Sequence, residues 1–211
     1  MMKNYFLLAL LAASATSALA GTFTVSTDTE SHEFYIKNPA NGYFCKLNGI
    51  YIGSTQTKAD GATFKIYGGS EEGKYYLFCT TNNKYVTYTD MTAGNSKVIF
   101  TDSKDEAKQW KIKLENNQTQ RYDIFPEGVD GNNDNLSWNW HGGVSNNMGF
   151  YQASDGNSTW TFVDINDVDF TFNYTYNGQQ VATTTATINK NDVTIPDCPI
   201  TYFTVGTSTL D

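Results

Sequence analysis

The sequence has little of what catalysis and metal binding require. Its 211 residues contain only two histidines, His32 and His141, and they lie far apart in the chain. No cysteine and histidine spacing typical of a zinc site is present, and no glycine-rich phosphate loop follows a strand and opens a helix. Residues 130–134 resemble the start of a calcium loop, but the downstream glutamate is missing, which favours a turn. We therefore expect a protein that is not an enzyme and that has no catalytic residue, cofactor or metal.

Charge is also scarce, and it is mostly negative. Only 17% of the residues are charged, and the formal net charge is −8. This balance disfavours polyanionic partners and excludes binding to the nucleic-acid backbone. Outside the N-terminal segment we find no convincing helical periodicity, whereas Tyr, Thr, Asn and Gly are abundant. These residue types suit pleated surfaces and tight turns, so the composition predicts an all-β fold.

The one apolar run long enough to suggest a special role lies at the N-terminus. Lys3 precedes the apolar residues 6–13, and small residues lead to Ala18-Leu19-Ala20 before Gly21. This order predicts a secretory signal peptide over residues 1–20, cleaved near Ala20-Gly21. No later segment is apolar enough to cross a bilayer. We expect a chain exported to the periplasm, the extracellular space or the cell surface, without insertion into the membrane.

Three cysteines follow the signal peptide, at Cys45, Cys79 and Cys198. An odd number means that at least one of them is unpaired or pairs with another chain. Cys45 and Cys79 either form a disulfide, which export would allow, or serve as small apolar residues inside a β core.

One segment pattern appears three times. Each copy opens with an aromatic strand, counted at Tyr35, Tyr76 and Tyr122, and closes on an aromatic residue, Phe64, Trp110 or Trp160. The openings are 41 and 46 residues apart, and the closings are 46 and 50 apart. Such a period indicates a supersecondary unit that must associate with its copies to bury its apolar face. Three copies predict a closed fold with pseudo-threefold symmetry.

Each copy also contains a second strand after its first turn. Aligning these strands places Phe44, Val86 and Leu136 at one inward position. The same alignment places Lys46, Tyr88 and Trp138 together two residues later, on the same face by strand alternation. Because a lysine there must reach solvent, this alignment predicts that Tyr88 and Trp138 are partly exposed.

The threefold pattern resembles the β-trefoil of the ricin B-type lectin family. The resemblance covers residues 32–164 and rests on the repetition and on closings placed like the family's Gln-x-Trp signature. Here the signature is eroded, since the closings read Ala62-Thr63-Phe64, Lys108-Gln109-Trp110 and Ser158-Thr159-Trp160. The resemblance implies a β-trefoil module over residues 28–165 with the closing aromatics in its core. The run that ends in Trp160-Thr161-Phe162 is also similar, more loosely, to trefoil modules of secreted Bacteroidetes glycosidases such as sialidases.

Residues 168–211 form a second, strand-rich segment. Alternating apolar and polar residues flank Asn177-Gly178, which predicts a β-hairpin with a type I′ turn. A hairpin with so few partner strands is marginal alone. Either it packs on the trefoil, or it begins an incomplete β-sandwich of a larger protein, and we favour the second.

Binding chemistry is concentrated in copy three. A neutral sugar requires an aromatic face and short polar groups, and this copy supplies both within a few residues. The candidate site residues are Asp134, Asn135, Trp138, Asn139, Trp140, His141 and Asn147, with Tyr88 and Asp90 of copy two as a second candidate site. The alternative is that Trp138 and Trp140 belong to the bottom of the barrel and that the Asn residues make turns.

The resemblance also implies where a sugar-binding acid would lie. The family's sugar-binding Asp corresponds here to Leu47, to Thr89 or Tyr88, and to Asn139. Of these, only Asn139 is a plausible polar replacement, because it can both donate and accept hydrogen bonds.

The sequence therefore predicts a non-catalytic carbohydrate-binding module whose partners are glycans or glycoproteins. We expect it to be the targeting part of a glycan-degrading system. Two alternatives stay open: a protein-binding trefoil such as a protease inhibitor or adhesin, and the N-terminal part of a glycosidase whose catalytic domain lies beyond residue 211. Neither the sugar nor the oligomeric state follows from the sequence.

Overall fold

The computed structural model describes residues 23–116, 119–129, 136–142 and 147–190. The predicted signal peptide and Cys198 lie outside these residues. The described part of the chain contains fourteen strands and two single-turn 3₁₀ helices, Lys58–Asp60 and Gly156–Ser158. The strands are β1 Phe34–Lys37, β2 Phe44–Asn48, β3 Tyr51–Thr55, β4 Thr63–Gly68, β5 Lys74–Cys79, β6 Lys84–Tyr88, β7 Val98–Thr101, β8 Trp110–Asn116, β9 Arg121–Pro126, β10 Ser137–Trp140, β11 Met148–Tyr151, β12 Thr159–Asp164, β13 Asp167–Tyr176 and β14 Gln179–Asn189.

Six of these strands close into a barrel. Their antiparallel order is β1, β4, β5, β8, β9 and β12, and β12 pairs back onto β1. Closure leaves no free edge in the barrel, so every one of these strands has two neighbours. Each copy of the sequence pattern contributes two of the six strands, the first and the last of its four.

The remaining two strands of each copy form a hairpin. The three hairpins are β2–β3, β6–β7 and β10–β11. A six-stranded barrel with three hairpins, built from three four-stranded copies, is a β-trefoil. The predicted all-β, pseudo-threefold fold is confirmed.

The barrel register identifies the residues that are equivalent in the three copies. Within each copy the first barrel strand pairs with the last, through Phe34 with Phe64, Tyr75 with Trp110, and Tyr122 with Trp160. The predicted openings at Tyr35 and Tyr76 are therefore wrong by one residue, although the opening at Tyr122 is correct. Two adjacent aromatic residues open copies one and two, and the sequence alone does not show which of them points inward.

The closing aromatics belong to the core, as predicted. Phe64, Trp110 and Trp160 are fully buried. The indole Nε1 of Trp110 donates to Val86 O at 3.2 Å, and that of Trp160 donates to Trp138 O at 2.7 Å. Each closing tryptophan therefore holds the hairpin of its own copy against the barrel, while its polar nitrogen is satisfied.

An aromatic residue ahead of the first strand packs against the barrel core. The Phe23 ring lies 5.4 Å from Tyr75, 5.3 Å from Tyr122 and 5.1 Å from Phe162, measured between centroids. Tyr75 and Tyr122 are equivalent positions of copies two and three, so one side chain outside the repeats joins two of them. Ser26 fixes this segment by donating its backbone N–H to Ile66 O at 2.7 Å.

A second compact unit begins at Asn166. Within it, β13 and β14 pair antiparallel over most of their length. Asn177 and Gly178 have φ values of 49° and 76°, and positive φ at both central residues is what a type I′ turn requires. The predicted hairpin is confirmed. The rest of the predicted segment, residues 191–211, lies outside the described residues.

The two alternatives for Cys45 and Cys79 are resolved in favour of free thiols. Both side chains are fully buried and unpaired with each other. Burial raises the pKa of both thiols above the ordinary value, so both remain neutral and unreactive. No cluster of metal-binding side chains occurs among the described residues. In the same part of the chain, no helix is both long and apolar enough to span a membrane.

Candidate functional site

The hairpin registers show which residues of the three copies correspond. Trp138 pairs with Phe150, Val86 with Phe100, and Cys45 with Ser54. The nitrogens of Trp110 and Trp160 reach Val86 O and Trp138 O, so Trp138 corresponds to Val86. Two residues later, Trp140 corresponds to Tyr88 and Leu47. The predicted alignment of Trp138 with Tyr88 and Lys46, and that of Leu136 with Val86, is wrong.

This register corrects the prediction for Trp138. Its side chain is fully buried, with the Trp110 ring 5.4 Å away and the Trp160 ring 5.6 Å away between centroids. Its Nε1 has no hydrogen-bond partner among the described residues. In this position the ring offers no face to a ligand. Trp138 joins the closing tryptophans of copies two and three and is a core residue.

Two asparagines of the predicted site are bound within the protein. Asn139 is buried, and its Nδ2 donates to Ser158 Oγ at 2.8 Å and to Asp155 Oδ1 at 3.4 Å. Asn147 is also buried, accepting from Asn48 Nδ2 at 2.6 Å and donating to Ser96 Oγ at 3.0 Å. Asn48, Ser96 and Asn147 come from copies one, two and three, so this network ties the three hairpins together.

Trp140 packs across the junction between copies three and one. Its ring is half-buried and stacks on Tyr43, with centroids 4.4 Å apart and planes inclined by 23°. Its Nε1 donates to Ser54 Oγ at 3.0 Å. One face of each ring is therefore used inside the protein, and the indole nitrogen is already satisfied.

The predicted residues of copy two have structural partners as well. Tyr88 is half-buried, with the rings of Trp110 and Phe150 5.3 and 5.7 Å away between centroids. Burial, followed by the charge of Glu127, raises its pKa above the ordinary value. Asp90 is exposed and binds Lys97 Nζ at 2.8 Å, and it also accepts hydrogen bonds from Thr92. These contacts lower the pKa of Asp90 to about 2.

His141 remains as an accessible member of the predicted set. Its ring is half-buried and meets the Tyr151 ring edge to face, with centroids 6.0 Å apart and an interplanar angle of 73°. Its Nε2 lies 3.2 Å from Phe150 O. Because a carbonyl oxygen only accepts, Nε2 carries a proton, and in the neutral ring Nδ1 is left as an acceptor. Asp134 and Asn135 lie outside the described residues.

Tyr151 is the exposed aromatic residue of this region, with 42% of its surface accessible. It pairs with Ser137 at the end of β11, and Asn139 lies two residues along β10 on the same face. Asn139 binds Asp155, so the side chain of Tyr151 and the carboxylate lie on the same side of the β10–β11 hairpin. We call Tyr151, His141 and Asp155 the copy-three surface.

The carboxylate of Asp155 is held in place by hydrogen bonds to one of its oxygens, and its other oxygen can accept further hydrogen bonds. Its Oδ1 accepts from Asn157 N at 2.8 Å and from Asn139 Nδ2, which fixes the side chain at the start of the short helix Gly156–Ser158. Its Oδ2 has no partner among the described residues. The copy-three surface therefore combines an aromatic ring with a hydroxyl, a histidine nitrogen and a fixed carboxylate oxygen. Such a set can contact an apolar ring face and accept hydrogen bonds from hydroxyl groups.

A close backbone contact positions the strand that carries Tyr151. Gly94, in the loop between β6 and β7, exchanges two backbone hydrogen bonds of 2.9 Å with Phe150. A Cβ at Gly149 would lie 1.9 Å from Gly94 O, so only glycine permits this approach. The copy-two loop therefore pairs with β11 and fixes the base of the copy-three surface.

Tyr151 and Asp155 were not among the predicted site residues. The sequence does contain a pattern that singles out Tyr151. Thr55, Thr101 and Tyr151 each lie nine residues before the closing aromatic of their copy. The hairpin registers confirm that the three positions are equivalent, since they pair with Phe44, Tyr85 and Ser137. Copy three alone replaces threonine by an aromatic residue there. Aligning the three copies on their closing aromatic residues, and counting back nine positions, identifies Tyr151 as the exception.

No protein-family model matches this sequence, and no curated protein matches it. Solved structures do resemble it. A ricin B-like lectin from Macrolepiota procera in complex with lactose has a TM-score of 0.54 and 12% identity, over 68% of this chain and 99% of the lectin. The designed threefold-symmetric protein ThreeFoil has a TM-score of 0.50 and 13% identity, over 63% of this chain and 99% of its own. The BEL β-trefoil, in an apo crystal form, has a TM-score of 0.50 and 12% identity, over 67% and 97%. At these identities the likeness establishes the fold, which is the β-trefoil found in ricin B-like lectins.

Proposed function

We propose that this protein is an exported carbohydrate-binding module and that the copy-three surface is its binding site. The observation that carries the proposal is the exposed Tyr151 ring at a position where the two other copies have threonine, four residues before the fixed Asp155 carboxylate in the chain. The fold supports it, because a structure similar in fold is that of a lectin solved with lactose. Export is inferred from the N-terminal segment of the sequence.

The proposed mode of binding follows from the groups present. The apolar C–H face of a sugar ring would pack on Tyr151, since aromatic rings provide area at a small cost in conformational entropy. Asp155 Oδ2 and His141 Nδ1 would accept hydrogen bonds from sugar hydroxyls. A site this open gains little over the cost of immobilising the ligand, so we expect weak affinity for a single sugar. Tethering to other domains or multivalent display would raise the effective affinity.

A glycan array with the purified protein tests the proposal. We expect binding to a defined set of neutral glycans, and Tyr151→Ala should weaken it about five- to thirtyfold, because truncating an aromatic anchor costs about 1–2 kcal/mol. Tyr176→Ala is the matched control, since Tyr176 on the C-terminal hairpin is 55% exposed. If no glycan binds, or if both variants bind as the wild type does, the proposal is wrong.

A second candidate function is protein binding. Three apolar side chains of copies one and two reach solvent at hairpin ends and loops: Leu47, Ile50 and Met91, with Ile50 61% exposed. Exposed apolar groups of this kind favour a protein partner over a sugar. A binding protein captured by the wild type and lost in Ile50→Ser, with the glycan array blank, would favour this function.

We further infer that the module targets a glycan-degrading system. The support is the loose resemblance of the whole arrangement, in which residues 156–162 lead straight into another β segment, to trefoil modules of secreted glycosidases. The coding sequence downstream of residue 211 tests this inference. A catalytic glycosidase domain in the same reading frame would support it, whereas an immediate stop codon with no neighbouring glycosidase gene would contradict it.

A further inference from the structure

A strip of aromatic side chains crosses the outer face of the barrel where copies one and two meet, and the proposed function does not use it. We call it the aromatic strip, and it consists of Tyr67 on β4, Tyr76 and Phe78 on β5, and Tyr85 on β6. Ile66, Leu77 and Val86, which adjoin these residues in their strands, are fully buried in the core. Because side chains alternate along a strand, the four rings point outward.

The four rings form one continuous set. Tyr67 pairs with Tyr76 across the strands, and Phe78 pairs with Tyr85. The centroid of the Phe78 ring lies 6.2 Å from that of Tyr67 and 4.9 Å from that of Tyr85. Tyr76 lies 6.5 Å from Tyr85, again edge to face. From β4 to β6 the strip crosses two strand spacings, about 10 Å, which is more than the width of one sugar ring.

The hydroxyl groups of the strip are accessible. No hydrogen bond within the described part of the chain involves the hydroxyl of Tyr67, Tyr76 or Tyr85, and none of these three oxygens is buried without a partner, so they reach solvent. Each of the rings is half-buried, so part of each remains open as well. The strip therefore offers apolar ring surface together with three groups that can donate and accept hydrogen bonds.

The strip occurs at one of three equivalent places around the barrel, and all three lie within the described residues. Where copies three and one meet, the four positions hold Val163, Tyr35, Lys37 and Phe44. Where copies two and three meet, they hold Lys113, Asp123, Phe125 and Ser137. Those two places have two rings and one ring, and the barrel closes there equally well. Closure of the barrel therefore does not require the four rings of the strip, which leaves them free to serve a ligand.

We propose that the aromatic strip binds an extended chain of neutral sugars. The C–H groups of successive sugars pack on the rings, and sugar hydroxyls pair with the tyrosine hydroxyls. An apolar protein surface fits less well, because burial against it would leave three hydroxyl groups unpaired. The net charge of −8 repels a polyanion, which favours a neutral chain. One sugar covers only part of the strip, so binding requires a chain. This site is separate from the copy-three surface.

The test uses the full-length protein with Tyr151→Ala, which removes the aromatic ring of the copy-three surface. Cellohexaose, xylohexaose and mannohexaose are titrated by calorimetry, each beside its own disaccharide. We expect at least one hexasaccharide to bind, roughly tenfold or more tighter than its disaccharide, because only the longer chain contacts all four rings. Adding Tyr76→Ala should weaken binding of the hexasaccharide about five- to thirtyfold, the loss expected for a truncated aromatic anchor.

Two further variants control for damage to the fold. Tyr35→Ala truncates the position of copy one that is equivalent to Tyr76, outside the strip, and should leave binding unchanged. A Tyr67→Phe/Tyr85→Phe double variant keeps every ring and removes two hydroxyl groups, so it should fold normally and still weaken binding several-fold. Equal losses in Tyr35→Ala and Tyr76→Ala, or full binding by the double phenylalanine variant, would overturn the inference.

The remaining outcomes separate this inference from the proposed function. If Tyr151→Ala alone abolishes binding of every hexasaccharide, the strip is not a site and the copy-three surface stands. If Tyr151→Ala leaves glycan binding unchanged and Tyr76→Ala abolishes it, the strip stands and the copy-three surface does not. Equal affinity for hexasaccharide and disaccharide would contradict a chain-binding site. Self-association that is lost in Tyr76→Ala, without binding of any hexasaccharide, would make the strip an interface between copies of this chain instead.

Discussion

Copy three differs from copies one and two on the outside of the barrel far more than on the inside. Copies one and two place Tyr35 and Tyr76 on the outer wall, each with a lysine over the ring. The corresponding residue of copy three is Asp123, which follows the core residue Tyr122, and the position of the lysines holds Ser154. The inward positions, in contrast, stay apolar in all three copies, as Ile36, Leu77 and Ile124 show.

Residues on the outer face of the barrel are freer to change than residues on its inner face. An inward position faces the same closed core in every copy, so its residue must be apolar and its volume must fit its neighbours. An outward position is constrained only by its immediate neighbours, so a copy can exchange a tyrosine with a lysine over its ring for Asp123 and Ser154 without altering the barrel. Four predictions test this division, in order of decreasing effect.

The first prediction concerns the residue of copy three that departs most from its inward equivalents. Trp138 occupies the position of Cys45 and Val86, and it contacts both Trp110 and Trp160. Trp138→Ala should lower the free energy of unfolding by about 3–5 kcal/mol, because it leaves a large cavity in the core. Denaturant titration measures this. A loss below about 1 kcal/mol would mean that the Trp138 ring is not part of the core. The contrast between a constrained inner face and a variable outer face would then be wrong.

The second prediction tests the contact that joins the copies from outside the repeats. Phe23 is half-buried against rings of copies two and three. Phe23→Ala should lower the free energy of unfolding by about 3 kcal/mol, the low end for a buried phenylalanine, since part of its ring is exposed. Thermal and denaturant unfolding check this, with Phe23→Leu as a control that keeps most of the contact and most of the stability. Equal stability of Phe23→Ala and wild type would contradict the packing.

The third prediction separates a structural from a binding role for Asn139. Removing its amide takes away the donor to Ser158 Oγ and one of the two donors to Asp155 Oδ1. Asn139→Ala should therefore lower the free energy of unfolding by about 2 kcal/mol. Thr87 is the equivalent residue of copy two, where its hydroxyl accepts from Lys108 N at 3.3 Å, so Thr87→Ala is a matched control with a smaller expected loss. If Asn139→Ala changed glycan binding and left stability intact, the asparagine would be a ligand residue after all.

The fourth prediction concerns an ion pair in copy two. Hydrogen bonds from Lys97 and Thr92 lower the pKa of Asp90 from 3.8 to about 2. A depressed carboxyl pKa contributes stability above the unfolded value, and this is lost as the pH falls from about 4 to about 2. NMR titration of the Asp90 carboxyl group should give the low value, and Lys97→Met should move it back towards 3.8. An unchanged pKa in Lys97→Met would exclude the ion pair as its cause.

Much of the fold follows from the sequence because its strongest determinants are periodic. The closing aromatics Phe64, Trp110 and Trp160 mark three copies, and Asn177-Gly178 marks the hairpin, since few residues tolerate positive φ. These features depend on local chemistry that the sequence shows directly.

The candidate site follows less well, because depth within a barrel is not a local property. Alternation places Trp138 and Trp140 on one face of β10, but it does not show that the first lies in the core and the second at a junction between copies. The partner of Asn139 lies sixteen to nineteen residues away, in a turn whose position depends on the whole barrel. Tyr151 was missed because its strand is short and its distinction appears only against Thr55 and Thr101.

The two buried thiols can report how often different regions of the trefoil open. Cys45 lies in the hairpin of copy one, and Cys79 lies at the end of a barrel strand of copy two. Neither can meet a thiol reagent while the fold is closed, so the rate at which each is labelled reports how often its own region opens. Unequal rates would reveal hairpins that open apart from the barrel, and equal rates would show a trefoil that opens as a whole.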